Sequence, residues 1–200
     1  MNGFTVVFSM MSNIKIALIA EDETDCAAIR KIVHRVLGAE VATKKWASNG
    51  CSTLKKKLTA KLKVLSSEGC NIFIVVHDLD RNPQNDSLNN EVALRSKLEA
   101  LSSEIKSLKH ICIPIEELEA WFWSDPEVVK HLGGEKGKAH PNPHEIKSPK
   151  EKLIELSRDG NRKPRYSTND NDKLATMLNL DLCSKRCSSF RELVKFLRSL

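Results

Sequence analysis

The chain has few aromatic residues and no long apolar run, and both shortages exclude classes of function. Phe, Trp and Tyr together make up 5% of its 200 residues, which disfavours a single-strand binder that stacks bases on aromatic side chains. No apolar stretch reaches the roughly 18 residues that a membrane span needs. Residues 1–11 lack the basic start and the cleavage pattern of a signal peptide. We therefore expect a cytoplasmic protein that does not contact a membrane.

The cysteine pattern disfavours disulfides and a zinc site. The chain has six cysteines, no two of which form a CxxC pair, and several lie in or beside apolar segments, as free core thiols do. Cys183 and Cys187 have a helical spacing that could hold half of a zinc site, but the sequence offers no second half with matching spacing. We expect a reducing compartment and no disulfide framework.

The length and charge are typical of a folded protein with one main domain. A net charge of +6 permits nucleic-acid binding without requiring it. We divide the chain into four parts: a leader at 1–12 that is expected to be disordered, an α/β core at 13–134, a flexible loop at 135–149 that is rich in Gly, Pro, His and Lys, and a small helical extension at 150–200.

Apolar runs and helical periodicities alternate along the core. The runs predict strands at 14–20, 71–77 and 111–115, with a more polar edge strand at 40–47. Helices are predicted at 24–37, 52–65, 89–108, 116–123, 126–133, 149–157, 170–178 and 189–200. The alternation indicates a mostly parallel sheet covered by helices on both faces. In such a sheet a functional site lies at the carboxyl ends of the strands.

Acidic residues follow two of the predicted central strands. Glu21 and Asp25 come after the first apolar run, and Asp78 and Asp80 come after the second. Carboxylates at close range raise one another's pKa unless a cation neutralises them, and Mg²⁺ is bound by oxygen ligands of this kind. Two ions held in this way would stabilise the attacking and the leaving oxygen in phosphodiester cleavage. The structural alternative is that each acid only forms a turn or caps a helix.

These acids belong to a three-part series that resembles the motifs of a known family. Its members are Glu21-x3-Asp25, Asp78-x-Asp80 and Glu117-x-Glu119. The series resembles that of Toprim domains, above all the overcoming-lysogenization-defect (OLD) nucleases. The segment 114–126, PIEELEAWFWSDP, is similar to that of small stand-alone relatives found beside ATPases in phage-defence loci. The resemblance implies a Toprim-like, Rossmann-like α/β fold and a nuclease that depends on Mg²⁺ or Mn²⁺.

The resemblance also implies a role for individual acids. Glu21 would be a metal ligand or a general acid/base, and Asp78 and Asp80 would be metal ligands. Asp25 and Glu119 would bind a second ion.

A lysine beyond the core and two departures complete the comparison with the family. In the family a lysine supports the transition-state charge, and Lys173 lies at a suitable distance in the sequence, with Lys163 and Arg165 as alternatives. Asp22 stands where a glycine is usual, and Glu117 stands where a small hydroxyl residue is expected. Glu117 thereby becomes a further candidate metal ligand, and the added negative charge either strengthens metal binding or prevents it.

Basic residues outside the series are candidates for nucleic-acid binding. One face of the second predicted helix carries five lysines, which either form a solvated surface or follow a phosphate backbone. The segment 158–165, RDGNRKPR, is a candidate phosphate-contacting loop. Arg81 either pairs with a neighbouring aspartate or reaches a substrate phosphate. The candidates are Arg81, Lys55, Lys56, Arg162, Lys163 and Arg165.

Three functions stay open from the sequence. The first is a metal-dependent endonuclease, with DNA as the favoured substrate, that acts as the effector of an anti-phage system with an ABC-type or AAA ATPase as partner. The second is a non-catalytic Toprim-like subunit that binds such an ATPase. The third is a phosphoacceptor receiver-like domain, since ALIAEDE at 17–23 resembles the start of such domains, although no hydroxyl residue and lysine end the following strands.

Overall fold

Four parallel strands form one sheet at the centre of the fold. The structure, a computed structural model, describes residues 14–38, 41–160 and 162–200, so the predicted leader lies outside the described residues. The strands are β1 (Lys15–Ala20), β2 (Ala42–Ala47), β3 (Ile72–Val76) and β4 (Leu108–Cys112). Their order is β2-β1-β3-β4, and all neighbouring pairs are parallel. The predicted α/β class is confirmed, and the polar strand β2 lies at an edge as predicted.

Eight α-helices occur in the described residues. They are α1 (Glu23–Leu37), α2 (Cys51–Ser67), α3 (Glu91–Leu101), α4 (Pro126–Gly133), α5 (Pro149–Leu156), α6 (Asn171–Met177), α7 (Leu180–Arg186) and α8 (Ser188–Arg198). Within the part of the chain that the structure describes, no helix has the length and the apolar character needed to cross a membrane.

Alternate strand residues supply two hydrophobic cores, one on each face of the sheet, as the pleat of a strand requires. Ile16 and Leu18 belong to the larger core, which α1 and the C-terminal helices cover. Ala17 and Ile19 belong to the smaller core, which α2 and α3 cover. Phe190 of α8 is fully buried in the larger core. The C-terminal helices therefore pack on the sheet as part of one helical layer.

The predicted helix 89–108 is wrong at its C-terminal end. The hydroxyl groups of Ser102 and Ser103 donate to carbonyl oxygens of the preceding turn at 2.9 and 2.8 Å. Such local hydrogen bonds compete with the helix and favour its termination. Leu108 instead begins β4, which places this strand earlier in the chain than the predicted strand 111–115.

Short helical segments account for the other differences. The predicted helix 116–123 is a 3₁₀ helix, Leu118–Ser124, and α7 has no counterpart in the prediction. The predicted loop 135–149 contains the 3₁₀ turns Gly134–Lys136 and Pro143–Glu145, and it buries Ile146. Helices of one or two turns carry too few apolar residues for a clear period, which explains these differences.

Candidate metal centre

Three chain segments bring acidic residues to one edge of the sheet. β1 and β3 are parallel neighbours, so Glu21 and Asp78, which follow them, leave the sheet at the same edge. Beyond β3, the backbone amide of Leu79 donates to the carbonyl oxygen of Pro114 at 2.8 Å. This contact holds the segment that leads to Glu119 beside Asp78. The topology therefore gathers the acids from sequence positions far apart.

Asp25, Asp78 and Glu119 are close enough to affect one another's ionisation. Asp25 and Glu119 are 8% and 4% exposed, and Asp78 buries its Oδ1 atom although the residue is partly exposed. Burial and the negative charge of Glu119 raise the pKa of Asp25 to about 7. Burial and the charges of Asp25 and Glu119 raise the pKa of Asp78 well above its usual range. Without a cation, these carboxylates resist ionising together.

Glu21 and His77 form a second part of the centre. Burial and the charge of Asp80 raise the pKa of Glu21 to about 7. Burial lowers the pKa of His77 below its ordinary value, so we take its imidazole as neutral near pH 7. The Nδ1 atom of His77 lies 2.8 Å from the carbonyl oxygen of Asp78 and 3.1 Å from Glu21 Oε1. One N–H group cannot serve both oxygens fully, and the shorter contact is to the carbonyl.

Several buried polar atoms of the centre lack hydrogen-bond partners among the described residues. They are Glu21 Oε1, His77 Nε2 and Asp78 Oδ1. A buried oxygen without a partner is costly, and a bound cation would satisfy two of these atoms. Carboxylate oxygens are also the donors that Mg²⁺ and Mn²⁺ prefer. The donor set therefore fits a hard divalent ion.

The side chains are not yet arranged as a finished metal site. Within the described residues, no group of three His, Cys, Asp or Glu side chains stands ready to hold a metal ion. Ion binding would therefore require side-chain rotation at this edge. Burial and charge, rather than coordination geometry, identify the centre.

Two residues from the C-terminal part of the chain contact Glu119, and the sequence did not single them out. Asn171 Nδ2 donates to Glu119 Oε1 at 3.0 Å, and the Tyr166 hydroxyl lies 3.5 Å from the same oxygen. That hydroxyl donates to Asn171 Oδ1 at 2.7 Å. Burial raises the pKa of Tyr166 above its ordinary range, so the phenol keeps its proton. Within the described parts of the chain, Glu119 is thus held by two neutral groups and contacts no Lys or Arg.

Two other acids of this segment are paired with cations. Lys150 Nζ lies 2.8 Å from Glu117 Oε1, and the Lys150 backbone amide donates to Glu117 Oε2 at 3.0 Å. Glu116 has a φ of 64°, which is rare for a residue with a side chain, and its carboxylate pairs with Arg81 Nε. Arg81 therefore pairs with Glu116 instead of with a neighbouring aspartate, contrary to one of the two sequence expectations. Lys150 was missed because nothing local marks it.

Asp80 and the lysines of α2 lie at the border of the centre. Asp80 is exposed at its surface, but partial burial of its carboxylate raises its pKa. The positive charge of Lys55 acts in the opposite direction and lowers it. Lys55 also acts on the carboxylate of Glu21. Its neighbour Lys56 is exposed to solvent. Of the predicted lysine surface, Lys55 is the member whose charge reaches the acids.

The C-terminal basic candidates lie elsewhere. Lys173 and Arg165 are exposed and line a separate cavity whose walls include none of the acids of the centre. Arg162 and Lys163 are exposed in the preceding segment, where Arg162 Nη1 lies 3.8 Å from Asp159. Lys173 faces away from the centre because it follows Asn171 by two residues on a helix, which is more than half a turn.

Comparison with known proteins assigns the chain to a family. Neither the curated proteins nor the solved structures give a significant match. A family model matches residues 20–198, a range that includes every acid of the centre as well as Tyr166, Asn171 and Lys150. The chain therefore belongs to DUF4276, a family described as a domain of unknown function.

Proposed function

We propose that this protein is a Mg²⁺- or Mn²⁺-dependent hydrolase of phosphodiester bonds in nucleic acid, with DNA as the favoured substrate. One observation carries the proposal: Glu21, Asp25, Asp78 and Glu119 meet at the carboxyl edge of a parallel sheet, and no Lys or Arg pairs with them among the described residues. Such a cluster is stable in its ionised form only with a cation. The resemblance of the acidic series to Toprim domains supports the same reading.

The acids of the centre would form two sets of ligands, one for each of two ions. Asp78, Glu21 and Asp80 would supply oxygens to one ion, and Asp25 and Glu119 to a second. A divalent ion bound by these residues would supply Lewis acidity to a phosphoryl oxygen and would lower the pKa of a bound water.

The protein's own groups would bind the substrate and move protons. Lys55 carries a positive charge beside Glu21 and Asp80, where it attracts a phosphate group. In the metal-free protein the pKa of Glu21 is about 7, so Glu21 would suit a general base where it does not itself bind the ion. The positive charge of Lys150 acts on Glu119 and offsets negative charge at the other side of the centre.

The biological setting is also part of the proposal. The resemblance to small relatives beside ATPases supports a role as the effector of an anti-phage system with an ABC-type or AAA ATPase as partner. A cytoplasmic location agrees with six free cysteines. Co-purification of this chain with an ATPase encoded beside it would support the partnership, and separate elution of the two proteins would contradict it.

The catalytic proposal is tested by nicking of supercoiled plasmid. Purified protein should nick with Mn²⁺ or Mg²⁺ and stop with EDTA, and Asp78→Asn and Glu21→Gln should each reduce the rate by at least ~10²-fold. Asp181→Asn is the matched control, because Asp181 is 79% exposed and far from the acidic series in sequence. Equal rates in the wild type and in both variants would refute the proposal. A labelled RNA hairpin in parallel separates an RNase from a DNase.

A non-catalytic, partner-binding subunit is the second candidate. Two observations favour it: Glu117 is already neutralised by Lys150, and no ready metal arrangement is seen in the described part of the chain. A protein that binds an ATPase but shows no heat of Mn²⁺ binding in calorimetry would establish this alternative.

A further inference from the structure

A second concave site lies between α4 and α6, next to the segment that precedes α6. It has a volume of about 220 Å³, and its lining is formed by His131, Leu132, Arg165, Asp170, Lys173 and Leu174. Pockets for drug-sized molecules commonly measure about 300–1,000 Å³. This cavity therefore suits a smaller group, such as a phosphate with part of its attached sugar.

The cations of this cavity are not neutralised by its one acid. Asp170 ends the 3₁₀ turn Thr168–Asp170, and its Oδ2 accepts from the backbone amide and the hydroxyl of Ser167 at 2.9 and 3.3 Å. Arg165 Nη2 donates to the Leu132 carbonyl oxygen at 3.3 Å, which holds the guanidinium across the cavity and leaves its other N–H donors available. Among the described residues, the ammonium group of Lys173 contacts no acceptor. The cavity therefore presents two cations to a ligand.

The same short segment builds both this cavity and one wall of the metal centre. Tyr166 and Asn171 are buried and contact Glu119. Arg165 and Lys173, one residue before Tyr166 and two after Asn171, are exposed and face the cavity. The segment 165–173 therefore has an inner side that supports an acid and an outer side that carries positive charge.

We propose that this cavity binds a backbone phosphate of the nucleic-acid strand, away from the bond that is cleaved. The identity of the strand rests on the proposed function, whereas the affinity for phosphate does not. Lys173 then binds the substrate at a distance and has no role at the reacting atoms. Arg165 supplies planar N–H donors to the phosphate oxygens, and the His131 imidazole lines the same cavity.

The first test measures phosphate binding without metal or catalysis. Inorganic phosphate is titrated into the full-length protein in EDTA, and the imidazole resonances of His131 are followed by NMR. The resonances should shift and saturate, and Lys173→Gln and Arg165→Gln should each weaken binding by about tenfold, as expected for a lost charge-assisted hydrogen bond. Lys195→Gln, which removes another exposed helical lysine, should change nothing. A titration without saturation, or equal affinity in Lys173→Gln, overturns the site.

The second test asks whether the phosphate belongs to a strand. The binding of a short labelled single strand is measured in EDTA at several salt concentrations. Lys173→Gln should make the slope of log K against log salt concentration shallower by roughly 0.7 for the one lost phosphate contact. An unchanged salt dependence, together with intact binding of inorganic phosphate to the wild type, would assign the cavity to a free phosphate group and overturn the strand assignment. The melting temperature of each variant is compared with that of the wild type to confirm that the variant is folded.

The third test separates binding from chemistry. With metal present, Lys173→Gln should raise the KM for plasmid nicking several-fold and leave the hydrolysis of bis(p-nitrophenyl) phosphate unchanged, since that small diester does not reach the cavity. Equal slowing of both substrates would place Lys173 at the reacting atoms and overturn the proposal. If neither substrate is hydrolysed by the wild type, the proposed function fails, while the phosphate titration still decides the cavity.

Discussion

Acids with and without a cationic partner lie side by side at one edge of the sheet. The paired acids are Glu116, held by Arg81, and Glu117, held by Lys150. The unpaired acids are Glu21, Asp25, Asp78 and Glu119, for which the described residues provide no Lys or Arg in contact.

This difference identifies the carboxylates for which we propose an external ion. The paired acids use their charge to fix the segment after β4, including the strained backbone of Glu116. The unpaired acids have pKa values raised by burial, so their ionised forms are destabilised in the free protein. Glu116 and Glu117 are neutralised within the chain, whereas we propose that the four unpaired acids are neutralised by a cation from solution.

Removing the cationic partner of a paired acid should produce the largest loss of stability. Arg81→Met leaves the carboxylate of Glu116, which is 6% exposed, without its partner. We expect the free energy of unfolding to fall by about 2–3 kcal/mol, the cost of leaving a buried charge uncompensated. Urea denaturation measures the change. The double variant Arg81→Met, Glu116→Gln should recover part of the loss, and a single variant as stable as the wild type would show that the pair has no structural role.

Removing an unpaired acid should have the opposite effect. Asp25→Asn eliminates a group whose pKa is about 7 in the folded protein against an ordinary value of 3.8. Because the folded state holds its proton more tightly, this group lowers stability as the pH rises from about 4 to 7, and the full penalty applies above 7. Asp25→Asn should therefore stabilise the metal-free protein by about 2 kcal/mol at pH 8 and progressively less toward pH 4.

The control for this prediction is an exposed aspartate. Asp181→Asn should change the unfolding free energy by less than about 0.5 kcal/mol at every pH. The difference between Asp25→Asn and the wild type also cancels the contribution of His110, whose pKa burial lowers to about 4. A stabilisation by Asp25→Asn that does not vary with pH would contradict the proposed origin of the effect.

Removing the partner of Glu117 should have the smallest effect. We expect this effect on the affinity for metal. Lys150→Met releases Glu117 and removes a positive charge that acts on Glu119 and Asp80. We expect Mn²⁺ to bind several-fold more tightly, because a competing cation has gone. Calorimetry measures the dissociation constant, with Lys195→Gln as control. Weaker Mn²⁺ binding would mean that Lys150 supports the ion site instead of competing with it.

Much of the fold could be predicted because its signals are local. The β-branched run before His77 predicts a buried strand, and Gly38 ends α1 in a left-handed conformation with a φ of 68°. Asp125 caps α4 through a 2.8 Å bond to the amide of Glu127, with Pro126 in the first turn. Where the local signal was weak, as for the 3₁₀ helix Leu118–Ser124, the prediction had the wrong helix type.

The site could be predicted only in part, since half of it depends on tertiary contacts. Parallel strands imply that residues following β1 and β3 share an edge, so the proximity of Glu21 and Asp78 follows from topology. Lys150 and Asn171 contact Glu117 and Glu119 from helices far along the chain, and no local pattern marks such contacts. The direction in which Lys173 points depends on how α6 is rotated about its axis. The sequence around one exposed lysine does not reveal this rotation.

The central claim is tested most directly by calorimetric titration of Mn²⁺ at pH 7 in buffers with different heats of ionisation. The account predicts saturable binding to the wild type with release of protons, because Glu21 and Asp25 are partly protonated at that pH and must ionise to bind an ion. It also predicts loss of binding in Asp78→Asn and unchanged binding in Asp181→Asn. Absence of Mn²⁺ binding to the wild type, or equal binding by Asp78→Asn, would contradict it.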